Sequence, residues 1–218
     1  MLSLVAATLL AATPPAAVPR VVEEIVAVVR NPAGAPPRVI TLTKLDEEAR
    51  IALVSRGAAA AATRPLDAEA LRAALDWLLD QMLLADEAAR LGLDAVEREA
   101  VSAALARFRA QVGPSDAYAR FLAVSELTEE ELSATLARMV RVERYVQSRV
   151  GRAARVGDDE VERWLAEHGA GGAAGPARDA ARAQLEEERA RAQVRELVAE
   201  LRARADVRVL RPERKDGP

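Results

Sequence analysis

The chain has no cysteine and a single histidine, His168. The first absence removes disulfides, thiolate nucleophiles and zinc–thiolate sites. The second leaves histidine-based triads and multi-histidine metal sites without their material. Aromatic side chains are as scarce: Trp77, Phe108, Tyr118, Phe121, Tyr145 and Trp164 are the whole set. Platforms for stacking bases or sugars are correspondingly few. Charge of one sign is also lacking. Thirty-one basic and 34 acidic residues give a formal net charge of −3, too even for a polyanion-binding surface, so nucleic acid is not an expected partner. The glycine-rich stretch GAGGAAGP (169–176) lacks the preceding strand and the Lys-Ser/Thr ending of a phosphate loop. No cofactor is expected.

What the chain has is 218 residues, 50% hydrophobic and 30% charged, enough for a core that needs no staples. Alanine supplies much of the apolar half and buries little area per residue, so the core must rest on Leu and Val. Residues 1–12, MLSLVAATLLAA, form an uncharged apolar run that resembles a secretory h-region and is too short for a helix to span a bilayer. It predicts export, although no Lys or Arg precedes it. Every later segment carries charges at short intervals, so no stable membrane insertion is expected.

Two β-branched runs, VVEEIVAVV (21–29) and VITL (39–42), predict a hairpin. The intervening NPAGAPP (31–37) supplies its loop. Helical patterning then takes over. Thr43 is expected to cap a helix reaching Ser55, with residues 58–62 prolonging or fraying it. Asp67 opens the strongest core helix, in which Leu71, Leu75, Leu78, Leu79, Met82 and Leu83 recur at three- and four-residue steps up to Gly92. Asp94 is expected to cap a third, with Val96, Val101, Leu105, Phe108 and Val112 on one stripe. Ser115 or Asp116 opens a short fourth carrying Tyr118, Phe121 and Leu122. Thr128-Glu129-Glu130-Glu131 forms a capping box before a long fifth helix with Leu132, Leu136, Met139, Val140, Val142 and Val146 inward. Asp158-Asp159-Glu160 begins a sixth, its negative charge matching the macrodipole. Residues 169–176 read as a linker and 178–204 as a long amphipathic helix. Residues 207–210, VRVL, alternate like a strand. So short a strand cannot persist alone, so it is expected to pair with the N-terminal hairpin.

This order resembles the SurA-like periplasmic chaperones, a group that also contains parvulin-type peptidyl-prolyl isomerases. EIVAVV (24–29) is similar to the opening strand of that family, and VITLTKL (39–45) to its second strand running into the first helix. LDWLLDQMLL (75–84) and ARLGL (89–93) resemble its leucine-rich helix and exit. SELTEEEL (125–132) resembles the turn before its longest helix, and VGDDEV (156–161) the junction at which full-length members enter their isomerase domain. The resemblance covers about residues 21–168 and 178–210. It implies a mainly α fold: a multi-helix SurA N-terminal-like domain with a small N-terminal β-hairpin completed by a C-terminal strand. The organisation it implies is a signal-like segment (1–20), the helical domain with its hairpin (21–168), the linker (169–176), a returning helix and strand (177–210) and a disordered tail (211–218). GAGGAAGP stands where a parvulin domain would be inserted, and no segment has the His, Gly-Gly and Phe-rich pattern of that domain. The resemblance therefore implies a non-catalytic holdase rather than an enzyme, with unfolded polypeptides, outer-membrane proteins among them, as clients.

Such binding needs apolar patches with accessible polar groups that accept chains in many registers. Trp77 is expected as core or groove wall. Tyr118 and Phe121, on a short helix between breaks, are expected to be exposed peptide-binding residues. Met82 and Met139 sit on core stripes, and His168 closes a helix. The carboxylate runs 129–131 and 158–160 are helix starts, and 186–188 is a solvated face, so no metal site is expected. The rival readings are an isomerase-related protein with residual activity and a scaffold that homodimerises through residues 178–204.

Overall fold

The computed structural model describes residues 23–30, 36–93, 95–151, 153–169, 171–172 and 174–210. The signal-like segment, the centre of the hairpin loop, Asp94 and the tail 211–218 lie outside the described residues.

Strand β1 (Ile25–Arg30) pairs antiparallel with β2 (Arg38–Thr41). A third strand, β3 (Asp206–Val209), lies antiparallel on the other side of β1, giving the order β2-β1-β3. Val28 is thus opposite both Val39 and Arg208, and the Leu210 amide donates to the Val26 carbonyl at 2.9 Å. The alternating C-terminal run completes the sheet as its pattern predicts. The fold is mainly helical, with a small three-stranded antiparallel sheet formed by the N-terminal hairpin and the C-terminal strand.

Seven α-helices are present among the described residues. Helix α1 (Leu42–Ser55) begins one residue after β2 ends, capped by Thr41 rather than Thr43. Thr41 keeps the extended backbone of the strand, and its hydroxyl accepts from the Lys44 amide at 3.2 Å. Gly57, at φ +93°, ends that helix, because only glycine takes this conformation without strain. Residues Ala59–Ala62 then form a separate 3-10 turn with Ala61 and Ala62 buried. Helix α2 (Ala68–Arg90) is capped by Asp67 as expected, the carboxylate accepting from the Ala70 amide at 2.8 Å. Helix α3 (Arg98–Val112) starts later than the Asp94 pattern implies, behind Glu97 and without a side-chain cap. Helix α4 (Ser115–Val124) follows Pro114. Helix α5 (Glu129–Val150) opens with the full capping box, Thr128 Oγ1 accepting from the Glu131 amide while Glu131 accepts from the Thr128 amide at 2.8 Å.

Helices α6 (Asp158–Glu167) and α7 (Pro176–Arg204) form a hairpin across the glycine-rich segment. Pro176 is already the first residue of α7, where its missing amide N–H costs nothing. Near its start, α7 packs Ala181 and Leu185 with Val156, Val161 and Leu165 around α6. Its last turns bury Leu197 and Leu201 against α2, α5 and the sheet, in a cluster that includes Val29, Ile40, Leu79, Leu83 and Tyr145. A second cluster joins Ile51 and Val54 of α1 to Phe108 of α3, Phe121 of α4 and Leu132 and Leu136 of α5. The sheet and α7 thus close one end of a helical cradle whose walls are α1, α2, α3 and α5. Among the described residues no helix is long and apolar enough to cross a membrane.

Candidate functional site

A cavity of about 590 Å³ opens between α2, α3 and α5, with the end of α1 and Val194 of α7 at its margins. Its walls follow from helical spacing: Trp77, Gln81 and Leu84 recur along one face of α2, Ala104, Arg107, Phe108 and Gln111 along one face of α3, and Leu136, Met139, Val140, Val146 and Gln147 along α5. Side chains three, four and seven residues apart share a helix face, so each helix contributes a ridge of apolar groups edged by polar heads. The size lies within the range of about 300–1,000 Å³ typical of ligand clefts.

Trp77 is half-buried, packing on the main core while facing the cavity. The Arg56 guanidinium lies over its ring, 5.2 Å from the centroid, a cation–π contact that holds a charge against an apolar wall. Met139 is partly buried and faces the same space, whereas Met82 is core.

Two residues of this lining each carry a polar atom that is closed to solvent and has no hydrogen-bond partner among the described residues: the Ser55 hydroxyl oxygen and the Gln111 side-chain carbonyl oxygen. Leaving such an atom unsatisfied costs about 1–3 kcal/mol. Glu143 is the cavity's carboxylate, and Gln147 Nε2 donates to it at 3.3 Å. Arg107 is exposed and forms no ion pair with the described residues. The lining therefore holds two guanidinium groups and one carboxylate.

The other two expected binding residues lie elsewhere. Phe121 is 1% exposed, its ring 5.3 Å from that of Phe108, which corrects its expected exposure: α4 is short, but its aromatic side chain fills the second core cluster. Tyr118 is half-buried beside Arg109, which stacks at 5.0 Å from its ring, and its hydroxyl donates to Glu129 at 3.2 Å. Burial pushes the Tyr118 phenol above its ordinary range, while Arg109, bonded to Glu129, holds that carboxyl below its own. Trp77 is the one of the three that meets the cavity.

The remaining groups singled out by sequence act within the fold. His168 caps α6, its Nδ1 2.8 Å from the Trp164 carbonyl and its ring stacked on Trp164 at 4.0 Å. Asp158 pairs with Arg178 and Arg182, and Glu160 with Arg189. These arginines depress both carboxyls, and the Gly157 amide assists at Glu160. Glu186 accepts from the Val156 amide at 3.4 Å. Sequence reasoning missed Ser55, Arg56, Arg107 and Gln111, since polar residues at helix ends and on exposed stripes carry no mark of facing a shared space. No protein-family model matches the chain, and no curated protein matches it.

Proposed function

We propose that this chain is a non-catalytic, SurA-like holdase of the periplasm that keeps unfolded polypeptides, outer-membrane proteins among them, from aggregating. The observation that carries the reading is the groove between α2, α3 and α5, with Trp77 on its wall and apolar ridges edged by Gln81, Arg107, Glu143 and Gln147. A surface of that kind binds extended chains weakly and in many registers, which needs neither nucleotide nor metal. The apolar stretch at residues 1–12 supports export.

The test is dilution of a denatured outer-membrane barrel into buffer with and without the protein, in the absence of ATP. Slower light-scattering growth at stoichiometric protein is the expected result, and unchanged aggregation contradicts the reading. Accelerated cis–trans exchange in a proline test peptide would favour an isomerase-related activity instead. A concentration-dependent dimer lost on disrupting α7 would favour the scaffold reading.

A further inference from the structure

We infer that the chain pairs with a second copy of itself through the free edge of β3, in one register: Val207 on the two-fold axis, and Asp206 of each copy opposite Arg208 of the other. The contact is independent of the groove and of what the groove binds.

β3 lies at one margin of the sheet, with β1 on one side and no strand on the other among the described residues. The Leu210 amide bonds to the Val26 carbonyl, and the register sets Arg208 opposite Val28 and Asp206 opposite Arg30. In an antiparallel ladder, residues that bond to the neighbouring strand alternate with residues whose N–H and C=O point away from it. Asp206, Arg208 and Leu210 therefore bond to β1, and Val207 and Val209 turn their backbone groups to the open edge. Such an edge is a template for another strand unless proline, lysine or a bulge blunts it. None of these marks Asp206–Val209: the four residues are DVRV in unbroken register with β1, and Val209 is 50% exposed. The opposite margin differs, since β2 follows directly on Pro36 and Pro37.

The order of charges along β3 selects the occupant. Val207 packs against the main core, so by two-residue alternation Asp206 and Arg208 share the other face, where Arg208 Nε lies 3.5 Å from the Asp206 carboxylate. Bonding across the edge requires outward-turned residues to meet, which confines two-fold pairings to those centred on a residue of the strand. Centring on Asp206 or on Arg208 sets like charges directly opposite, which is destabilising. Centring on Val209 sets Arg208 against Leu210. Centring on Val207 sets Asp206 opposite Arg208 twice, at the non-bonded positions where facing side chains come closest. On the other face, Val207 then meets its own copy and Val209 meets Ala205. The edge is thus complementary to itself, as an isologous two-fold contact requires, and the order β2-β1-β3 continues into the same strands of the second copy. A contact one short strand long is smaller than the ~1,600 Å² typical of a stable complex, so the dimer is reversible and depends on concentration.

The experiment is sedimentation equilibrium of the full chain over about a hundredfold range of concentration. The unmodified chain should show a monomer–dimer equilibrium. Asp206→Arg and Arg208→Asp each place like charges at both facing pairs, and each should weaken the dimer by about tenfold or more. Mixed in equal amounts, the two variants restore opposite charges at both pairs and should form a heterodimer about as tight as the unmodified dimer, which also shows that both are folded. Val209→Pro removes an N–H that β1 does not use and should abolish the dimer with circular dichroism unchanged. A monomer at every concentration of the unmodified chain, undiminished association of either charge variant alone, or no association in their mixture would overturn the inference. So would a dimer that persists in Val209→Pro, which would lie on another surface such as α7.

Discussion

Arg138 of α5 donates to the carboxylate of Glu48 on α1, and Glu48 is 1% exposed. Thr135 Oγ1 donates to the other carboxylate oxygen at 3.5 Å, and Lys44 lies 3.6 Å away. A fully buried charge is tolerated only when paired and hydrogen-bonded, so this pair sets how α1 meets α5 beside the second core cluster. Glu48→Ala leaves Arg138 partly buried without its partner and should cost about 3–5 kcal/mol. Urea denaturation of the single mutant and of the double mutant Glu48→Leu/Arg138→Met measures this, the double mutant regaining most of the loss.

Phe121 and Trp77 should separate in the same assay. Truncating Phe121 to alanine removes the ring packed on Phe108, a loss of about 3–5 kcal/mol expected of a buried phenylalanine. Trp77→Ala should cost less because one side of the indole faces the open groove. Equal shifts in the urea midpoint would contradict this division between core and wall.

The α6–α7 hairpin should loosen in acid. Hydrogen bonds from Arg182 and from Arg189 hold the folded-state pKa values of Asp158 and Glu160 below their ordinary ones. Their contribution is therefore full above the unfolded pKa values of about 4 and is lost as pH falls through the lower folded values. Amide exchange followed by mass spectrometry should show α6 opening as pH drops below about 4, ahead of α2. Replacing Arg178, Arg182 and Arg189 with glutamine removes the guanidinium partners of both carboxylates and should shrink that difference.

Removing the C-terminal strand tests the closure of the sheet. Truncation after Ala205 deletes the partner of Ala27, Val28, Val29 and Arg30 and uncovers β1 as an edge. A lower melting temperature and a greater tendency to self-associate are expected. Unchanged melting and unchanged sedimentation would contradict the strand's role.

Much of this architecture is legible in the chain itself where a local rule acts alone. The Thr128–Glu131 box, the Asp67 cap and the return of Val207 and Val209 to β1 each follow from spacing, because capping and strand pairing are short-range or face-specific. Thr41 displaces Thr43 as a cap because β2 holds Thr41 extended, a tertiary influence on a choice between two equivalent hydroxyls. Phe121 turns inward because Phe108 lies across from it, and Glu48 is buried because α5 brings Arg138 and Thr135. The groove was the least legible part. Trp77 could be named as wall or core, but Ser55, Arg56, Arg107 and Gln111 converge only through the way α1, α2 and α3 cross, which no single periodicity encodes.

Suppression of barrel aggregation by a groove variant, compared with an off-groove control, tests the central claim most directly. Met139→Asp/Val146→Asp places two charges on the α5 wall of the cavity, and Val124→Asp places one at a site that is 70% exposed elsewhere. With both variants folded by circular dichroism, the account predicts that the groove variant loses ATP-independent suppression while Val124→Asp retains it. Suppression by the groove variant equal to that of the unmodified chain would contradict it.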